Sequence, residues 1–128
     1  MRNWKGMTVL GCTAILFATA LEAQAAGIRV RCATQVDPPR SKISIDGRNL
    51  GFGQFRAVAK SGTNRAGSPL QGAVGGEAEF DFDSDPGNIQ AGATPIDANF
   101  IQNNRVVGKI FNSSGVVVRK GSATCTVQ

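Results

Sequence analysis

The chain has 128 residues, 41% hydrophobic and 18% charged, with a formal net charge of +5. That length holds one ordinary domain and not two. Histidine and tyrosine are absent and Trp4 is the only tryptophan, which removes imidazole bases, His-ligated haem or zinc, and Ser-His or Cys-His nucleophile pairs.

The N-terminal segment predicts a Sec-type signal peptide. Arg2 and Lys5 give a positive start, Thr8 to Leu21 carries no charge, and Ala23-Gln24-Ala25 offers small residues around a cleavage point after Ala25. Cleavage after Ala26 is the second choice. The uncharged run is fourteen residues, short of the about 20 that a membrane-spanning helix needs, so a signal anchor is the weaker reading. Val9-Leu10-Gly11-Cys12 loosely resembles a lipobox. The apolar run continues past Cys12 to Leu21, whereas a lipidated cysteine should close it. The expected organisation is a leader over 1–25 and a single domain over 26–128, in the bacterial periplasm or secreted.

After Ala25 the dominant period is two. Ile28, Val30 and Cys32 alternate with Arg29 and Arg31, and Ile43 and Ile45 alternate with Lys42, Ser44 and Asp46. Phe55, Ala57 and Ala59 alternate with Arg56 and Lys60, and Ala78, Phe80 and Phe82 alternate with Glu77, Glu79, Asp81 and Asp83. Such runs mark strands with one buried face. Strands are predicted over 27–35, 41–47, 53–60, 68–74 (weakly), 77–83, 97–102, 105–111 and 116–127. Turns fall at Pro38-Pro39, Asp46-Gly47, Asp85-Pro86-Gly87-Asn88, Asn103-Asn104 and Asn112 to Gly115. The last three strands should form a meander. Phe52 and Phe55 follow glycine-rich backbone and are expected in the core, an exposed apolar patch being the alternative. Seven or eight short strands in this length predict an all-β fold, an antiparallel β-sandwich, with a small barrel second.

Cys32 and Cys125 are the cysteines left after processing. In an exported chain they most simply form one disulfide, which requires the first and last strands to be neighbours. Two free thiols or a soft-metal pair are the alternatives.

Glu77, Glu79, Asp81, Asp83 and Asp85 occupy successive odd positions. On one strand face they stand about 7 Å apart, each adjacent pair repelling by roughly 0.6 kcal/mol in water. Cross-strand pairing with Arg29/Arg31, Arg56/Lys60 or Arg105/Lys109 would offset this. A second reading is calcium. Asp81-Phe82-Asp83-Ser84-Asp85 opens like a D-x-D-x-D loop, but Pro86 stands at the glycine position and Gly92 at the closing glutamate position. Only Asp83, Asp85 and Asn88 at the turn could gather oxygens. A third reading is a protein partner, either a basic protein or a second copy docked head to tail.

Leu50-Gly51-Phe52-Gly53-Gln54-Phe55, Ser61-Gly62, the acidic run Glu77 to Asp85 and the late Cys125 resemble small exported bacterial proteins with an immunoglobulin-like β-sandwich. The resemblance implies that architecture, in the periplasm or outside the cell, and brings no activity and no site residues. The tryptophan packed on an internal disulfide in true immunoglobulin domains is missing here.

Enzyme chemistry is disfavoured because the available bases are carboxylates and lysines, a Ser-Lys pair on Lys60 or Lys109 being the residual option. No cofactor ligand set is present. The mature segment carries 12 basic and 8 acidic residues, net +4, without a basic block or aromatic-basic interleaving, so nucleic acid is not expected as a partner. No membrane insertion is expected after signal cleavage. Asn112-Ser113-Ser114 matches a glycosylation sequon but reads as turn chemistry behind a bacterial leader. The expectation is a non-enzymatic binding or accessory module whose partner is another envelope or extracellular protein. A structural subunit of a surface assembly is the first alternative and a calcium-binding module the second.

Overall fold

The computed structural model describes residues 26–128, and the predicted leader, residues 1–25, lies outside them. The alternating runs become strands. In chain order these are β1 (Ile28–Gln35), β2 (Arg40–Gly47), β3 (Gln54–Ser61), β4 (Asn64–Gly67), β5 (Gln71–Gly72), β6 (Ala78–Asp83), β7 (Thr94–Pro95), β8 (Arg105–Asn112), β9 (Val117–Thr124) and β10 (Thr126–Val127). One short helix, α1 (Pro86–Gln90), follows β6.

Two five-stranded sheets result. Sheet A has the order β9-β8-β3-β4, with β5 pairing β3 beyond β4. Sheet B has the order β10-β1-β2-β6-β7. Pairing is antiparallel except for β10 on β1 and β7 on β6, which are parallel. The inward faces share one core. Ile28, Val30, Ile43, Ile45, Phe80 and Phe82 come from sheet B, and Phe55, Ala57, Ala59, Val106 and Ile110 from sheet A.

The sheets fit closely because glycines stand where the period calls for inward side chains. A Cβ on Gly108 would lie 2.9 Å from Cδ1 of Ile45 and 3.0 Å from Cγ2 of Val30, and one on Gly47 would lie 2.6 Å from Cδ1 of Ile110. Each gap on one sheet receives an isoleucine from the other.

Six sequence expectations change, one of them the strand predicted over 116–127, which divides at Cys125 into β9 and β10 in different sheets. Residues 97–102 do not form a strand, so the meander reduces to the β8–β9 hairpin, and the other neighbour of β8 is β3. The backbone there is satisfied by distant side chains instead. Oγ of Ser41 donates to the Ala98 carbonyl and accepts from the Ile101 N–H, and Nδ2 of Asn64 donates to the Phe100 carbonyl. Of the weak strand at 68–74 only β5 (Gln71–Gly72) forms, and β4 (Asn64–Gly67) precedes it, because the Ser68 hydroxyl caps the Ala57 N–H and Pro69 has no donor to give a ladder. Asp46-Gly47 stays inside β2, and the chain turns at Arg48 to Gly53. Asp85-Pro86 opens α1 rather than a plain turn. Phe52 is fully exposed, whereas Phe55 is buried.

Other turns match. Gln102 and Arg105 bridge across Asn103 and Asn104, whose φ values of 54° and 55° are those of a tight two-residue hairpin turn. Oδ1 of Asn112 accepts from the Ser114 and Val116 N–H groups and shapes the β8–β9 loop.

Cys32 and Cys125 form the expected disulfide, with their Cα atoms 4.6 Å apart. Cys125 lies between β9 in sheet A and β10 in sheet B. The bond therefore sits where the chain changes sheets, and β10 lies beside β1.

Candidate functional site: charge divided between two sheets

The acidic strand β6 lies beside β2, and β2 lies beside β1. Its neighbours are therefore the basic residues of sheet B. Arg31 on β1 reaches across to Asp46 Oδ2 at 2.9 Å and to Glu79 Oε2 at 3.8 Å. Between them, Oγ of Ser44 accepts from Arg31 at 3.2 Å and donates toward Glu79 at 3.3 Å. This is the expected cross-strand neutralisation, carried by Arg31. Arg56/Lys60 and Arg105/Lys109 stand on sheet A and take no part in it.

The five acidic residues do not form one solvated stripe. Glu77, Glu79 and Asp81 are exposed, and Asp85 is half-buried. Asp83 is buried, at 2% relative exposure. It lies at the end of β6, where the chain folds back through α1 and adds β7 alongside. Asp83 accepts from Nε and Nη2 of Arg40 at 3.0 and 2.8 Å, from the Asp85 N–H at 2.9 Å and from Nδ2 of Asn88 at 2.8 Å. Burial alone would raise the Asp83 carboxyl. The hydrogen bonds from Arg40, then from the Asp85 N–H and Asn88, outweigh it and hold the group at about 2. Arg40 moves the other way, raised chiefly by its hydrogen bond to Asp83.

The calcium candidates Asp83, Asp85 and Asn88 are thus brought together, but around a guanidinium and a helix start. Oδ2 of Asp85 caps the Asn88 N–H, and Asn88 turns its amide nitrogen to Asp83. Among the described residues no cluster of three His, Cys, Asp or Glu side chains is placed to hold a metal ion. An open groove of ≈ 790 Å³ runs over this region, with Arg31, Lys42, Ser44, Asp81 and Asn88 in its lining.

Sheet A has the opposite character. Its strands contain seven cations, Arg56, Lys60, Arg65, Arg105, Lys109, Arg119 and Lys120, and no Asp or Glu. The strands of sheet B carry four of each sign. On β3 and β8 the even-spaced apolar residues go inward, which turns Arg56, Lys60, Arg105 and Lys109 outward. Register then adds two more cations to that outer face. Arg65 lies opposite Lys60, and Lys120 lies opposite Lys109. None of these six joins an ion pair among the described residues. Lys60, Arg105, Lys109 and Lys120 line a depression of ≈ 440 Å³ together with Gln102 and Asn103. Alternation marks four of these cations in the sequence. Arg65 and Lys120 were missed because their contribution depends on strand register.

No family model and no curated protein matches the chain. Among the described residues no helix is long and apolar enough to cross a membrane.

Proposed function

We propose that the protein is an exported, non-enzymatic β-sandwich of immunoglobulin-like type, periplasmic or secreted, that binds an acidic protein partner through the outer face of sheet A. The carrying observation is the set of six cations on that face that join no ion pair among the described residues, with no acidic residue in any strand of the sheet. Three of the four acidic residues in the strands of sheet B, Asp46, Glu79 and Asp83, are paired within the chain by Arg31 and Arg40, so that sheet presents less unbalanced charge to a partner. The disulfide at the sheet crossing supports an oxidising setting. A face of one sign attracts an oppositely charged partner and speeds encounter, in a salt-dependent way.

The test is capture from the native envelope fraction on immobilised protein. Lys60→Gln with Lys109→Gln and Lys120→Gln should lose the bound acidic protein and remove the salt dependence of its retention. Glu79→Gln with Asp81→Asn should retain it. Equal capture by both variants would overturn the reading.

The division of charge between sheets also favours a second reading, a subunit that packs head to tail with its own copies. It predicts an elution volume that depends on concentration and on salt, with Glu79→Gln/Asp81→Asn abolishing the larger species.

A further inference from the structure

The end of the molecule where β2 passes to β3 carries most of the exposed large apolar side chains. Phe52 is 104% exposed, Val74 83%, Val116 57% and Leu70 44%. They belong to neighbouring segments. The pairing Gln54↔Gly72 continues outward through the Ala73 N–H to Gly53 carbonyl bond, 3.1 Å, and Phe52 and Val74 are the residues that follow on either side of that bond. On the other flank of β3, Phe55 pairs Asn112, which opens the loop bearing Val116. Phe52 and Val74 thus lie on the two segments joined by the Gly53–Ala73 bond at the tip, and Val116 stands on the adjoining turn.

The tip is held in place. The Leu50 N–H donates to the Gly76 carbonyl at 2.9 Å. The Arg119 guanidinium donates to the carbonyls of Val118 at 2.8 Å, Asn49 at 2.6 Å and Arg48 at 3.3 Å, tying the turn at 48–53 to the β8–β9 hairpin. Gly51 and Gly53, at φ +81° and +118°, let the chain project Phe52, and a Cβ on either would meet nothing within 4 Å. The exposed cations beside the tip are Arg48 and Arg56, and the acidic residue near it is Glu77.

From these observations we infer that this end docks peripherally on an anionic lipid surface, with Phe52, Val74 and Val116 entering the headgroup region and Arg48 and Arg56 facing lipid phosphates. A protein groove would have to match several convex knobs on separate turns, whereas a fluid bilayer conforms to them. Apolar tips joined to cations are the combination that interfacial binding rewards, because area burial and attraction to anionic lipid add together. The contact involves turns alone and no segment crosses the membrane. It shares Arg56 with the sheet A face and leaves that face's other five cations, Lys60, Arg65, Arg105, Lys109 and Lys120, to a protein partner.

The exported form of the protein is sedimented with vesicles of phosphatidylcholine alone and of phosphatidylcholine mixed with phosphatidylglycerol. Wild type should pellet with the mixed vesicles. Phe52→Ser with Val74→Ser should weaken this by about tenfold or more, as expected for losing a buried aromatic, with the melting curve unchanged because both side chains are exposed. Lys60→Gln with Lys120→Gln should pellet much like wild type. No tryptophan or tyrosine occurs among residues 26–128, so Phe52→Trp places a single indole at the tip, and its emission should shift to the blue on the mixed vesicles. Three results would overturn the inference: no pelleting on either vesicle, pelleting of the Phe52/Val74 variant equal to wild type, or loss of binding in the Lys60/Lys120 variant alone, which would mean adsorption by the flat basic face. An indole emission indifferent to vesicles would do so as well.

Discussion

At position 83 one carboxylate accepts four hydrogen bonds, two of them from Arg40. Asp81, two residues earlier, is exposed. Chemically matched replacements should therefore differ sharply. Asp83→Asn leaves Arg40 without its counter-charge and places an amide where only acceptors fit. Breaking a buried pair costs about 3–5 kcal/mol, and the partial exposure of Arg40, 30% for its side chain, puts this one near the lower end. Asp81→Asn should stay within about 0.5 kcal/mol of wild type. Urea unfolding of the two variants decides it, and equal midpoints would refute the structural role of Asp83. The same group sets an acid limit. Its folded value of about 2 lies below the ordinary 3.8, so its contribution is complete above pH 4 and is lost as pH falls from about 4 toward 2. The amount is about 2 kcal/mol. Asp83→Asn should show a shallower decline over that window.

Gly108 decides how closely the elements approach. It lies on the inward face of β8, and an added methyl would press on Ile45 and Val30. Gly108→Ala is expected to cost about 1–3 kcal/mol by overpacking. Gly72→Ala, on β5 where a Cβ would meet nothing within 4 Å, should be neutral or slightly stabilising. Adding Ile45→Val to Gly108→Ala should recover part of the loss, since it removes the methyl at the tightest contact. Denaturation of the two single variants and the pair measures this coupling directly, and a strictly additive pair would mean that the two sites do not touch.

The legibility of elements follows the same physics. β1, β2, β3, β6 and β8 were readable because one buried face imposes a period of two. The inward glycines were not, since a residue without a side chain adds nothing to an alternation. α1 is a five-residue turn of helix, too short to show a period, and its one signal was Asp85 before Pro86, a capping residue followed by proline at the first helical position. The segment 97–102 misled because the groups that satisfy its backbone, Ser41 and Asn64, are distant in sequence. For the candidate site, outward-facing Arg56, Lys60, Arg105 and Lys109 could be read locally. Their isolation from the acidic strand could not, because it depends on which strands share a sheet.

Over the whole molecule, charge and covalent closure act on different sheets. Sheet A keeps its like charges unneutralised among the described residues, so it gains no ion-pair stabilisation. Sheet B gathers the ion pairs and receives the chain terminus. That terminus is held by little besides the disulfide, because β10 pairs with β1 at two positions only, Thr126↔Ala33 and Val127↔Thr34, followed by the Gln128 N–H bond to the Thr34 carbonyl at 2.8 Å. The bridge closes a loop of 93 positions, which in the chain-entropy model stabilises by up to about 4.6 kcal/mol, a large part of the about 5–15 kcal/mol typical of such a domain. Cys32→Ala with Cys125→Ala should therefore lower the melting temperature strongly, and the loss should begin at one place. Hydrogen exchange should show the amide of Gln128 unprotected, while the amides of β2 that pair with β6 retain protection up to the new global stability. Reduction of wild type should reproduce both effects. A reduced protein that melts where the oxidised one does, with Gln128 still protected, would show that β10 is held by its ladder and not by the sulfur bridge.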